Sequence, residues 1–79
     1  MKISEIIGKK IKEERIKNNL TLEKLAYESG ISKSGLSEIE RGIKEAKIST
    51  LCKVTQRLEI KLSDFIRSIE VEIPEEGEF

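Results

Sequence analysis

The segment Leu22-Glu23-Lys24-Leu25-Ala26-Tyr27-Glu28-Ser29-Gly30-Ile31-Ser32-Lys33-Ser34-Gly35-Leu36-Ser37-Glu38-Ile39-Glu40-Arg41 divides at Gly30 into two short helical patterns. Thr21, just before it, is a natural N-cap, and Glu23 lies near the positive end of the first helix dipole. Gly30 tolerates the left-handed backbone that closes this helix, which is expected to span Leu22 to Ser29. Ser32 caps the next, which runs to about Arg41, where Gly42 supplies a second left-handed stop. Two helices that cross this closely need a small residue at the contact, here Ala26, and apolar anchors beneath the second helix, here Ile31, Leu36 and Ile39.

Outward from this pair, Ile3, Ile7 and Ile11 recur every four residues among lysines and glutamates, predicting an amphipathic first helix over Ile3 to Lys17. Asn18-Asn19 ends it, since asparagine tolerates the left-handed conformation, and Leu20 re-enters the core. A fourth helix is expected from about Ile48 to Leu58, with Leu51, Val54 or Thr55, and Leu58 as its buried stripe; its end at Glu59 is weakly signalled. The fifth, Leu62 to about Ile69, is expected to bury Leu62, Phe65, Ile66 and Ile69, with Ser63-Asp64 in its first turn and Pro74 excluding helix beyond. The fold class is therefore all-α, with five helices.

With 79 residues, one proline and three aromatics, the chain has room for one small helical core and none for a deep, walled catalytic pocket. A single cysteine and no histidine exclude an internal disulfide, a Cys/His zinc cluster and the Cys-His or Ser-His nucleophile pairs. Tyr27, Cys52 and the scattered carboxylates form no catalytic constellation, so no enzyme activity, cofactor or metal is expected. Cys52 sits in an apolar helical stretch and is read as a buried structural thiol. No apolar run reaches membrane-spanning length and Met1-Lys2-Ile3-Ser4-Glu5 lacks a signal-peptide core, so a cytoplasmic protein is expected. The net charge of zero conceals an asymmetry: residues 1–67 hold all 15 basic and 10 of the 15 acidic residues, a net +5. Residues 68–79 carry −5 from Glu70, Glu72, Glu75, Glu76 and Glu78. A basic unit followed by an acidic tail suits nucleic-acid binding.

Residues 22–41 resemble the phage repressor and Cro type of helix-turn-helix, the lambda-repressor-like DNA-binding domains of the xenobiotic-response-element kind. Ile7-Gly8-Lys9-Lys10-Ile11 and Ile39-Glu40-Arg41-Gly42 extend the resemblance over about Ile7 to Phe65. It implies that the third helix enters the major groove of DNA while the second lies across the backbone. The outward positions expected to read bases are then Lys33, Ser34, Ser37 and Glu38: lysine donates to guanine O6 or N7, serine serves either sense, and glutamate accepts from cytosine N4. Gly35 is expected to let the helix approach closely. Phosphate contacts are expected from Arg41, Lys44 and Lys47, with Lys33 able to contribute, whereas Lys9, Lys10 and Lys12 are read as solvated. By the same resemblance Arg15 is expected to form a structural salt bridge with Glu40. Two departures stand out. Leu22 occupies a position where the family often has a glutamine that contacts phosphate and braces the first recognition residue, and Ala46 one where it often has proline.

These features predict a DNA-binding domain over residues 1–68 and an acidic segment over 69–79. The expected function is a transcriptional repressor or autoregulator that binds double-stranded DNA at a near-palindromic operator as a homodimer. Family members of this size include phage Cro-like proteins, restriction-modification controllers and antitoxins, among which the sequence does not choose. The rival reading is an antitoxin or adaptor whose main role is protein binding through the C-terminal segment. Within that segment Ile69-Glu70-Val71-Glu72-Ile73 alternates with the period of a strand, predicting a strand over 69–73 that pairs with its copy in a second chain. A disordered tail, or one folded back over the basic face to compete with DNA, are the alternatives.

Overall fold

Five helices follow in order in the computed structural model, which describes residues 2–74: α1 (Ile3–Lys17), α2 (Leu22–Ser29), α3 (Lys33–Glu40), α4 (Ile48–Arg57) and α5 (Leu62–Glu70). No strand occurs among the described residues. Local chemistry accounts for most of the boundaries. Thr21 Oγ1 accepts from the Lys24 amide and Ser32 Oγ from the Gly35 amide, each at 3.0 Å. Asn19 takes φ 56°, Gly30 71° and Gly42 75°, so the three stops read from sequence are left-handed. A fourth stop lies at Glu59, with φ 59°, where a glutamate carries a conformation that its side chain does not favour. The Ile60 amide bonds to the Thr55 carbonyl across that turn, giving the compensation.

Each helix contributes to one core: Ile6 and Ile11 from α1, Leu25 and Ala26 from α2, Leu36 and Ile39 from α3, Leu51 and Val54 from α4, Phe65 and Ile69 from α5, with Leu58 just past α4. Helix α1 packs on α3 and α5, α2 on α3 and α4, and α4 on α5. Of the repeat Ile3, Ile7 and Ile11 along α1, Ile11 is fully buried, but the repeat does not give the whole inward face. Because α1 touches two helices its buried face is wider, and Ile6 and Gly8 are buried while Ile3 and Ile7 are half-buried. At Gly8 the helix presses on the end of α3: a Cβ there would collide with the Ile39 carbonyl oxygen and lie 2.8 Å from that of Glu40. The glycine is a packing requirement of this crossing.

Three further expectations are overturned. Cys52 is exposed and not a buried thiol. Leu51, Val54 and Thr55, continued by Leu58, make up the inward stripe, and Cys52, one residue on from Leu51, is turned about 100° away with Lys53 and Gln56. Ile66 is 40% exposed, because Phe65 and Ile69 mark the buried line of α5. The strand predicted over 69–73 is absent. Helix α5 runs through Glu70, and the chain then turns, with Glu72 N bonded to Ile69 O at 2.9 Å and Ile73 N to Glu70 O at 3.2 Å. Phe65, Ile69 and Ile73 are spaced by four, so the residues that alternate as a strand also fit a helical face, and Ile73 packs against the core. The remainder of the acidic segment, from Glu75, lies outside the described residues.

Arg15 and Glu40 are brought together. Arg15 Nε donates to Glu40 Oε2 at 2.7 Å and Nη2 to Oε1 at 3.0 Å, with the side chains only 14% and 6% exposed. Nη1 donates to the Leu20 carbonyl at 2.9 Å. Glu40→Gln should therefore destabilise the protein by about 3 kcal/mol in urea unfolding, because an uncompensated guanidinium is left half-sheltered. A loss below about 1 kcal/mol would show that water replaces the carboxylate freely. Gly8→Ala should cost about 1–3 kcal/mol through the clash with α3 backbone. Gly30→Ala, where a Cβ has open space but φ is positive, should cost about 1 kcal/mol. The two unfolding curves check this ordering, which an equal or reversed loss would refute.

Candidate nucleic-acid interface

Helix α3 buries Leu36 and Ile39, and its 3.6-residue period turns Lys33, Ser34, Ser37 and Glu38 to the other side. These four line one shallow groove together with Leu22 from the start of α2 and Arg41 from the end of α3. Lys33, Ser34 and Arg41 are exposed, whereas Ser37 and Glu38 are half-buried in the groove floor. The surface thus combines ammonium, guanidinium, hydroxyl and carboxylate groups within three turns of helix. That is the mixture of donors and acceptors that reads base edges. Lys44 and Lys47 are exposed on the connection from α3 to α4, outside the groove. The connection is held to α3 by the Ile43 amide, which bonds to the Glu38 carbonyl at 3.0 Å, and to α1 by the hydroxyl of Ser4, which donates to the Gly42 carbonyl at 3.2 Å. Helix α4 starts without a side-chain cap, so its first-turn amides remain available to an acceptor such as a phosphate oxygen.

Gly35 has a local role beside any close approach to a ligand. Its amide receives the Ser32 cap, and a Cβ there would come within 2.8 Å of Ser32 Oγ. Arg41 Nε donates weakly to the Ser37 carbonyl at 3.4 Å, which leans its guanidinium back along α3. Lys10, read as solvated, is engaged: its ammonium lies 3.0 Å from Glu72 and 3.8 Å from Glu13. The Glu72 hydrogen bond raises its pKa. Glu72 therefore rests on α1, on residues that do not line the α3 groove.

Sequence reasoning assigned Glu23 only to the dipole of α2. In the fold its carboxylate lies 3.0 Å from the Lys33 ammonium, bridging the first turns of α2 and α3. A second bridge, Glu28 to Arg57, ties α2 to α4. Neither pair has a signal in helical periodicity, because both join residues that meet only after packing.

Residues 11–65, well over half of the chain, match the helix-turn-helix family model. The chain belongs to the helix-turn-helix family. Members of this family are DNA-binding transcription factors and not enzymes, in agreement with the sequence. Among relatives, the chain is 40% identical over 60 residues to the HTH-type transcriptional regulator SlrR of Bacillus subtilis, covering 75% of this chain. It spans only 40% of SlrR's length. The clp gene regulator ClgR of Corynebacterium glutamicum is similar in structure, with a TM-score of 0.85 and 28% identity, covering 95% of this chain and 97% of that one. The biofilm master regulator SinR, solved in complex with DNA, superposes with a TM-score of 0.72 at 34% identity, covering 76% of this chain and 97% of that one. Among the described residues, no helix is long and apolar enough to cross a membrane.

The Glu23 carboxyl is held below its ordinary pKa, first by the hydrogen bond from Lys33 and then by a backbone amide. In a carbon-detected NMR titration its midpoint should fall below the usual carboxylate range. In Lys33→Met it should move back up. An unchanged midpoint in that variant would place Lys33 away from Glu23 in solution.

Proposed function

We propose that this chain is a sequence-specific DNA-binding transcriptional regulator, a cytoplasmic repressor or autoregulator that engages a near-palindromic operator as a homodimer. The observation that carries the reading is the outward face of α3. It is anchored beneath by Leu36 and Ile39, locked at its end by Glu40 on Arg15, and presents Lys33, Ser34, Ser37 and Glu38 along one groove. SinR, with a similar fold and bound to DNA, supports placing this helix in the major groove. A dimer that sets two copies of α3 about 34 Å apart, one turn of DNA, then reads two half-sites. Arg41, Lys44, Lys47 and the uncapped start of α4 take the phosphates on the flank.

The adaptor reading, with the C-terminal segment as a protein-docking strip, draws less support. Ile73 is packed on the core and Glu72 is paired with Lys10, so the start of that segment is folded onto the body.

Titrating the protein against duplexes selected from a random pool tests the proposal. Ser34→Ala and Glu38→Ala should alter which bases are preferred, whereas Lys44→Ala or Lys47→Ala should weaken binding to all sequences and reduce the salt slope by roughly one. A Glu38→Ala variant with unchanged preference removes Glu38 from the reading surface. A wild-type protein that enriches no sequence, and sediments as a monomer on DNA, overturns the proposal.

A further inference from the structure

Lys33 and Glu23 both stand in the first turns of two adjoining helices. Lys33 is the first residue of α3, directly after the Ser32 cap, and Glu23 is the second of α2, after Leu22 and the Thr21 cap. Both backbones are therefore fixed by side-chain caps, and the 3.0 Å contact between carboxylate and ammonium spans two rigid anchors. Leu22, although it lines the groove beside Lys33, carries no polar group that could hold the ammonium. Glu38, the carboxylate that lines the groove, is not the partner: among the described residues Lys33 pairs with Glu23, and Glu38 enters no ion pair.

We propose that Glu23 is a specificity-determining positioning residue, which holds Lys33 in one orientation at the edge of the groove. This rests on the DNA-binding reading above. Two opposed effects follow from one carboxylate. A lysine has a flexible stem with many rotamers, so a tether that restricts it favours the one base arrangement its ammonium then meets. The same negative charge, beside a polyanion, disfavours every duplex alike. Glu23 thus sharpens discrimination while weakening unspecific grip. The pair is 59% and 63% exposed, so it contributes little to folding, and its removal leaves the protein folded.

The test compares affinities for a duplex that the wild-type protein selects from a random pool and for a scrambled duplex of equal length, at one salt concentration. Glu23→Gln should lower the ratio of the two affinities by roughly two- to fivefold, the factor that an exposed ion pair commands. It should leave affinity for the scrambled duplex equal or higher, with an unchanged melting temperature. In a Lys33→Met background the same substitution should leave the ratio where Lys33→Met alone puts it, and Glu23→Asp should recover part of the wild-type ratio. An equal change in both affinities would reduce Glu23 to a bulk charge and overturn the proposal. So would a ratio that stays constant, or one that falls equally without Lys33. Failure of the wild-type protein to select any sequence would overturn the DNA-binding reading along with it, an outcome distinct from selection that is insensitive to Glu23.

Discussion

One guanidinium determines where α3 points. Arg15 spends two donors on the Glu40 carboxylate and a third on the Leu20 carbonyl, so the last turn of α1, the connection into α2 and the final residue of α3 meet at a single planar group. A lysine could supply the charge but not the fork, and three fixed donors define an orientation where a point charge defines only a distance. Gly8 acts about two turns earlier by letting the α1 backbone lie against the Ile39 and Glu40 carbonyls. The two contacts flank the C-terminal end of α3 and leave its N-terminal end, where Lys33 and Ser34 stand, as the projecting part. Because α3 has only eight residues, tertiary anchoring and not intrinsic helicity must keep it straight.

The framework was legible wherever a local chemical signal decides the backbone. Thr21 and Ser32 as caps, and Asn19, Gly30 and Gly42 as left-handed stops, each act within four residues and each stand where the sequence places them. Legibility failed where two periods share the same residues or where the partner helix decides the face. Ile69 and Ile73 satisfy alternation by two and repetition by four, and the tertiary contact with the core selects the helical choice. Cys52 and Ile66 are apolar residues on apolar helices, but each lies one step off the buried line, an offset that composition does not reveal. The stop at Glu59 was only weakly signalled: a glutamate in the left-handed region is tolerated because the turn around it is closed by Ile60.

For the candidate interface, the outward positions of α3 came from the family resemblance, and helical period agrees with them once Leu36 and Ile39 are taken as anchors. What the period could not supply was their mutual chemistry. The Glu23 to Lys33 pair joins two helices through side chains ten positions apart, and the Lys10 to Glu72 pair joins opposite ends of the chain. Such contacts depend on interhelical geometry at the level of single ångströms, which the amino-acid pattern constrains only through the packed core.

The overall neutrality of the chain then takes on a physical meaning. Basic and acidic residues number 15 each, so the long-range field offers a polyanion little unspecific attraction. Within that balance the acids are unevenly committed: Glu72 is tied to Lys10, Glu28 to Arg57 and Glu40 to Arg15, all by contacts within the fold. Lys44 and Lys47 lie exposed on the connection beyond α3, and neither enters an ion pair among the described residues. Unpaired positive charge is therefore left at the flank of α3 although the chain as a whole is neutral. On the proposed function, a protein built this way would gain little by touching arbitrary DNA, so the free energy that distinguishes its sites would come in larger proportion from base contacts along α3. Weak unspecific grip and a small polar face on α3 would then be two sides of one charge distribution.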